Sequence, residues 1–299
     1  MSAEKLINAS VAISMDAPSG DERMFCHSIM SQIGLPRTQI QGREFHHSFG
    51  AAWLSIQAGL LDEGAGPVPQ PVPYGATARL ALICTTTLAR RYRSREVDVG
   101  RYAATFLSML GYDLQGHRYR MLRRQMHALA ACRLQIGFQG RTVNSLPIHQ
   151  FDAWQPRRVS SASRWPGVLV LSAEFYDDLI EHSVPLDGRA LARLKGSALA
   201  LDIYTWLAYR LHQIQGQPVE VSWAALMRQF AHEPRGAHAA ETFRKGFLHA
   251  LHKVLMAYPQ AKVTRYPGGL ALHASPPPVA PRSFEVSAPR CPRREGRAA

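Results

Sequence analysis

Arg120, Arg123, Arg124 and His127 recur at three- and four-residue intervals between His117 and Cys132, a spacing that gathers side chains on one side of a helix. At roughly 100° per residue, with Arg120 as the origin, Arg123 falls near 300°, Arg124 near 40° and His127 near 340°. Leu122, Met126 and Leu129 fall on the opposite side, between about 180° and 240°. Arg118 extends the positive group at the helix start. Such a helix can pack on protein with its apolar flank and meet an anion with the other. Arginine also suits bidentate contact to guanine or phosphate. A solvated surface helix would show the same stripe, so the local charge decides. Residues 79–133 contain eleven arginines and no lysine against Glu96, Asp98 and Asp113. The expected chemistry is DNA contact by Arg118, Arg120, Arg123, Arg124 and His127.

A later helix repeats the pattern. Phe243, Phe247, Leu251 and Val254 form an apolar side, and Lys245, His249, His252 and Lys253 form the other. Arg244 falls within the apolar arc, where reaching round to a phosphate and pairing with an acid both stay open. Thr242 heads the helix, and Lys262 and Arg265 follow on a hairpin suited to phosphate contact. Thr242, Arg244, Lys245, His249, Lys253, Lys262 and Arg265 make the second expected DNA-binding set.

Other chemistry finds no footing. There is no GxxxxGK(S/T) segment to cradle a nucleoside triphosphate and no GxSxG elbow. Cys26, Cys84, Cys132 and Cys291 lie too far apart for metal spacing; among the thirteen histidines His46 and His47 are adjacent, and His249 and His252 lie on a cationic helix without a nearby carboxylate in sequence. No catalytic residue, metal or cofactor is expected, and the chain is not expected to be an enzyme. Thirty-five Lys and Arg against 22 Asp and Glu give +13 and a pI near 10.1, which favours a polyanionic partner such as nucleic acid or an anionic membrane surface. With 46% hydrophobic and 19% charged residues the chain can build a core. No window of about 18 uncharged apolar residues exists and no signal peptide is visible, so the cytoplasm is the expected location and a membrane is not an expected partner.

The elements that must hold these helices occur twice. The first copy reads as a helix from Tyr74 to about Arg91, a short strand at Glu96–Val99, a helix around Phe106, a helix from about His117 to Cys132, and strands through Leu134–Phe138 and Leu146–Ile148. The second reads as a long helix from Gly188 to Ile214, a strand at Val219–Val221, a helix capped by Ser222, a helix from about Ala240 to Ala257, and a hairpin turning at Pro267-Gly268-Gly269. Helix, strand, helix, helix, hairpin is the order of a winged helix. The expected class is therefore mainly α with short β hairpins (α+β), as two tandem winged-helix domains. The expected divisions are a flexible tail at 1–24, a first domain with an N-terminal extension at 25–160, a second at 161–275, and a basic Pro/Arg-rich disordered tail at 276–299. Gly64–Pro73 reads as a linker because its prolines oppose both helix and central strand.

Several segments resemble, in order, the plasmid-encoded RepA-type replication initiators. They are Pro73-Tyr74-Gly75 with Arg79-Leu80, Ser94-Arg95-Glu96-Val97, Met109-Leu110-Gly111, Arg123-Arg124-Gln125-Met126, and Leu201-Asp202-Ile203-Tyr204-Thr205-Trp206-Leu207, followed by Phe243-Arg244-Lys245-Gly246-Phe247. The similarity spans about residues 24–280, and Leu201–Leu207 is its strongest part. One departure is Thr87-Leu88-Ala89-Arg90, where the family usually carries an acid shortly before the arginine. The resemblance implies two winged-helix domains that bind repeated origin sites (iterons), help open adjacent duplex, and recruit the host initiator and replicative helicase. It further implies a homodimer as a second state that represses or handcuffs. The residues alone would equally serve a winged-helix transcriptional repressor acting on its own gene.

Overall fold

The computed structural model describes residues 13, 16–99, 103–151, 168–231 and 238–280. The first elements are β1 (Arg23–His27), β2 (Glu44–Phe49), β3 (Ala52–Gln57), β4 (Leu60–Asp62) and β5 (Pro67–Pro69). Next come α1 (Gly75–Tyr92), β6 (Glu96–Asp98), α2 (Ala103–Met109), α3 (Gly116–Ala131), β7 (Arg133–Phe138), β8 (Arg141–Ser145), β9 (Ile148–Gln150) and β10 (Val168–Leu171). After α4 (Ala173–Glu181) and β11 (Ser183–Asp187) follow α5 (Gly188–Leu194), α6 (Ala198–Arg210), β12 (Val219–Ser222), α7 (Trp223–Phe230), α8 (Ala239–Ala257), β13 (Val263–Tyr266) and β14 (Gly269–Leu272). The class is α+β, with helices among several small antiparallel sheets.

Two three-stranded sheets share one plan. β6, β10 and β9 lie in the order β6-β10-β9, and β12, β14 and β13 in the order β12-β14-β13. In each, the strand before the second helix lies beside the last strand, which pairs in turn with the strand it follows. The first of these sheets crosses residue 160, because Val168 and Leu169 of β10 pair with Asp98 and Val97.

β7 was expected to form the first hairpin of this kind, and instead it belongs to another sheet. That sheet has the order β2-β3-β7-β8, with Trp53 opposite Gly137. A Cβ at Gly137 would lie 1.8 Å from Trp53 Nε1, so the indole lies across the strand where only glycine fits. The segment read as a linker folds as the β4–β5 hairpin, with Leu61 opposite Val68. Pro67 and Pro69 are tolerated because each strand of a two-stranded sheet has a free edge.

Residues 16–24 are held down and do not form a tail. Asp16 O accepts from Arg189 Nη2 at 2.8 Å, Glu22 O accepts from Gly188 N at 2.7 Å, and Arg23 and Met24 pair within β1 against β11. The rest of the expected tail, apart from Ile13, lies outside the described residues. At the other end Tyr258 Oη donates to Pro276 O at 2.6 Å and Val279 is buried, so the chain stays packed to Val279; residues 281–299 lie outside the described residues. The long helix expected over 188–214 breaks at Lys195-Gly196-Ser197, because Ser197 caps α6 by accepting from Ala200 N.

The two halves meet along α1 and α6. Arg79 and Asp202 form a buried bidentate pair, Nε to Oδ1 at 2.6 Å and Nη2 to Oδ2 at 2.8 Å. The departure at Thr87 also has a structural use. Its hydroxyl accepts from Phe25 N at 2.8 Å and donates to Ile83 O at 2.6 Å, while Thr86 donates to Phe25 O at 2.7 Å. These hydroxyls satisfy the edge of β1 that β11 leaves open. In the second half Trp206, Phe230 and Phe247 stack edge to face at centroid distances of 5.3 Å, which fixes the inner side of α8. No helix among the described residues is long and apolar enough to cross a membrane.

Candidate nucleic-acid interface

α3 packs through Leu122, Met126 and Leu129, all buried, as its apolar period predicts. The opposite side is only partly open. Arg120 and Arg124 are exposed, with Arg124 Nη2 donating to Gln39 Oε1 at 2.9 Å and its guanidinium 5.7 Å from the Tyr74 ring centroid. Arg118 is half-buried against the Tyr112 ring, at 4.9 Å, and 3.7 Å from Asp113.

Arg123 and His127 do not share that exposure. Glu63, in the turn between β4 and β5, accepts from Arg123 Nη2 at 2.7 Å, lies 3.2 Å from His127 Nδ1 and accepts from Gln70 Nε2 at 2.9 Å. His127 is 2% exposed, packed edge-on to Phe151, so its expected outward position is corrected. The helix has protein on two flanks because the presumed linker folds back on it. Burial lowers the His127 pKa, with the Glu63 hydrogen bond pulling the other way. Burial alone would raise the Glu63 pKa; hydrogen bonds from Gln70 and His127 and the charges beside it outweigh that and hold it below its ordinary value. Sequence reasoning missed Glu63. The available signal was that Asp62 and Glu63 are the only carboxylates between Glu44 and Glu96, just ahead of the arginine-rich stretch.

α8 is more open. Phe247, Leu251 and Val254 are buried, and Thr242, Lys245, His249 and Lys253 are exposed along one stripe. Lys245 Nζ reaches Glu241 at 2.7 Å, both side chains remaining largely solvent-exposed. Arg244, which sequence placed in the apolar arc, is exposed and lies over the Trp223 ring at 5.0 Å. The ring offers its face to the cation, and among the described residues no acid pairs with Arg244, which leaves the phosphate contact open. Lys262 and Arg265 are exposed beside and within β13, Arg265 near the hairpin turn and Lys262 at its open end. The structure thus gathers the second set on one helix and its hairpin, and divides the first set between solvent and Glu63.

Comparison with known proteins places this geometry. The family described as plasmid encoded RepA protein matches residues 72–224, from the approach to α1 through the start of α7. No curated protein matches the chain. Among solved structures, the crystal structure of domains 2 and 3 of RctB is similar with a TM-score of 0.53 at 10% identity, covering 83% of this chain and 98% of that one. A second structure of RctB domains 2–3 aligns with a TM-score of 0.49 at 12% identity, over 82% and 94%. The first likeness extends over both halves and concerns the fold. The family match spans the Arg79 and Asp202 segments and the arginine-bearing α3, and the chain belongs to the plasmid-encoded RepA family, the replication-initiator family that its motifs resemble.

Proposed function

We propose that this chain is a non-enzymatic origin-binding initiator built from two winged-helix modules. In this reading α3 and α8 enter successive major grooves of double-stranded DNA, and β13–β14 acts as a wing on the backbone. The bound sites are repeated iterons, binding helps open adjacent duplex, and the host initiator and helicase are recruited. The observation that carries the reading is the duplicated sheet order, each copy following a helix with cationic side chains facing solvent. Winged-helix modules use such a helix for base and phosphate contact.

Footprinting of the purified chain on DNA flanking its own gene tests the reading. Protection of an array of direct repeats is the expected result, whereas one inverted site would identify a repressor and no protection would remove the DNA role.

The Glu63 contact sets a finer expectation. Arg120→Gln and Arg124→Gln should each reduce the slope of log affinity against log salt by about 0.9, the value for one phosphate contact. Arg123→Gln should leave it unchanged, since Glu63 already neutralises that guanidinium. Glu63→Gln should raise the slope by about 0.9 by releasing Arg123. Fluorescence anisotropy across a salt series measures all four. Equal losses from Arg123 and Arg120 would mean that Glu63 yields to DNA.

A further inference from the structure

A polar cleft of about 570 Å³ opens between the segment Pro36–Gln41 and β2, and Ala231 at the end of α7 closes its far side. Its lining includes Arg37, Thr38, Gln39, His46 and His47, with Glu44 as its carboxylate. Arg37 is half-buried. Among the described residues no hydrogen bond or ion pair reaches its guanidinium. The acid whose charge bears on it, Asp202, already has both oxygens engaged by Arg79. Burial lowers the Arg37 pKa; Asp202 draws it up again, and the like charge of Arg79 pushes it down. Drawing a cation partly out of water without a partner costs free energy, and an anion entering the cleft would offset that cost.

The surroundings indicate which anion. Gln39, on one wall, accepts from Arg124 of α3. His47, on another, has Nε2 3.0 Å from Gln229 O of α7. The cleft therefore runs from the first cationic helix to the second half of the molecule. Its polar walls suit a phosphate, and they offer little apolar surface to a packed ligand.

We propose that Arg37 and this cleft bind a backbone phosphodiester of DNA at the junction of the two halves. This rests on the DNA-binding reading above and adds a contact outside both cationic helices.

The test uses the full chain, a duplex carrying its footprinted repeats, and Arg37→Gln and Arg37→Lys variants, with anisotropy at several salt concentrations and thermal melting. Arg37→Gln should lower the salt slope by about 0.9, Arg37→Lys should retain it, and neither should lower the melting temperature. An unchanged slope in Arg37→Gln, with the wild type binding normally, overturns the inference and leaves the proposed function standing. Failure of the wild type to bind any flanking duplex overturns both. A marked fall in melting temperature for Arg37→Gln makes the residue structural and overturns the inference. So does stabilisation by ATP or inorganic phosphate that Arg37→Gln abolishes while the DNA slope holds, since the cleft then serves a free phosphate ligand.

Discussion

Asp202→Ala is expected to destabilise the protein by about 3–5 kcal/mol, the cost of stranding a buried charge, measured as a shift in the urea midpoint with an unchanged m-value. Arg79 is 5% exposed and Asp202 7%. All five N–H groups of the guanidinium are used: two on the Asp202 oxygens, two from Nη1 on Pro36 O and Gly75 O at 3.0 and 2.9 Å, and one from Nη2 on Leu35 O. Removing the carboxylate leaves two donors and a full charge without compensation. The backbone has made room for the pair, since a Cβ at Gly34 would lie 2.7 Å from Asp202 Oδ1. The double variant Arg79→Met with Asp202→Leu should lose clearly less than the two single losses added together, a coupling of up to about 3 kcal/mol. A loss below about 1 kcal/mol from Asp202→Ala would be that of a solvated surface pair. The α1–α6 contact would then have to be held by its apolar side chains alone.

This pair also explains what the family resemblance was reading. Arg79 and Asp202 each sit in a segment that carries it, yet they are 123 positions apart, and sequence spacing gives no sign that they touch. Periodicity located α1, α3 and α8 to within a residue or two, although only α3 and α8 have one broad apolar flank; α1 is buried on every side from Thr77 to Thr87. Periodicity also located β6, β7, β9 and β12 to β14, with the β13–β14 pairing, and missed β1 to β5, β8, β10 and β11. Leu134, Ile136 and Phe138 alternate as a strand should, and nothing in that alternation distinguishes pairing with β9 from pairing with β3. The period-two run Ala52, Leu54 and Ile56, all buried, was the missing signal. The site divides the same way. An outward stripe on a helix wheel becomes a surface only if no second element covers it, as holds for Lys245, His249 and Lys253 and fails for His127. A proline-rich stretch argues against a helix or a central strand, and leaves a short edge hairpin fully allowed.

The difference in cover between the two helices predicts where binding free energy resides. Replacing Lys245, Lys253, Lys262 and Arg265 together with Gln should flatten the salt slope by about 3.6 units if each meets one phosphate. Between about 50 and 200 mM salt that removes roughly two orders of magnitude from the salt-dependent change in affinity. Folding should be almost untouched, because all four side chains are exposed and such substitutions usually fall within about 0.5 kcal/mol each. The ion pair of Lys245 with Glu241 is solvent-exposed on both sides and holds its lysine only weakly against a phosphate. Glu63 differs in kind: it is hydrogen-bonded on several sides and less exposed, so the arginine it holds is not available on the same terms. Anisotropy on the footprinted duplex, with a melting curve as the folding control, decides the matter. A slope that stays the same with the fold intact would remove α8 and its hairpin from the DNA interface, and would leave Arg120, Arg124 and the Arg37 cleft to carry all of it.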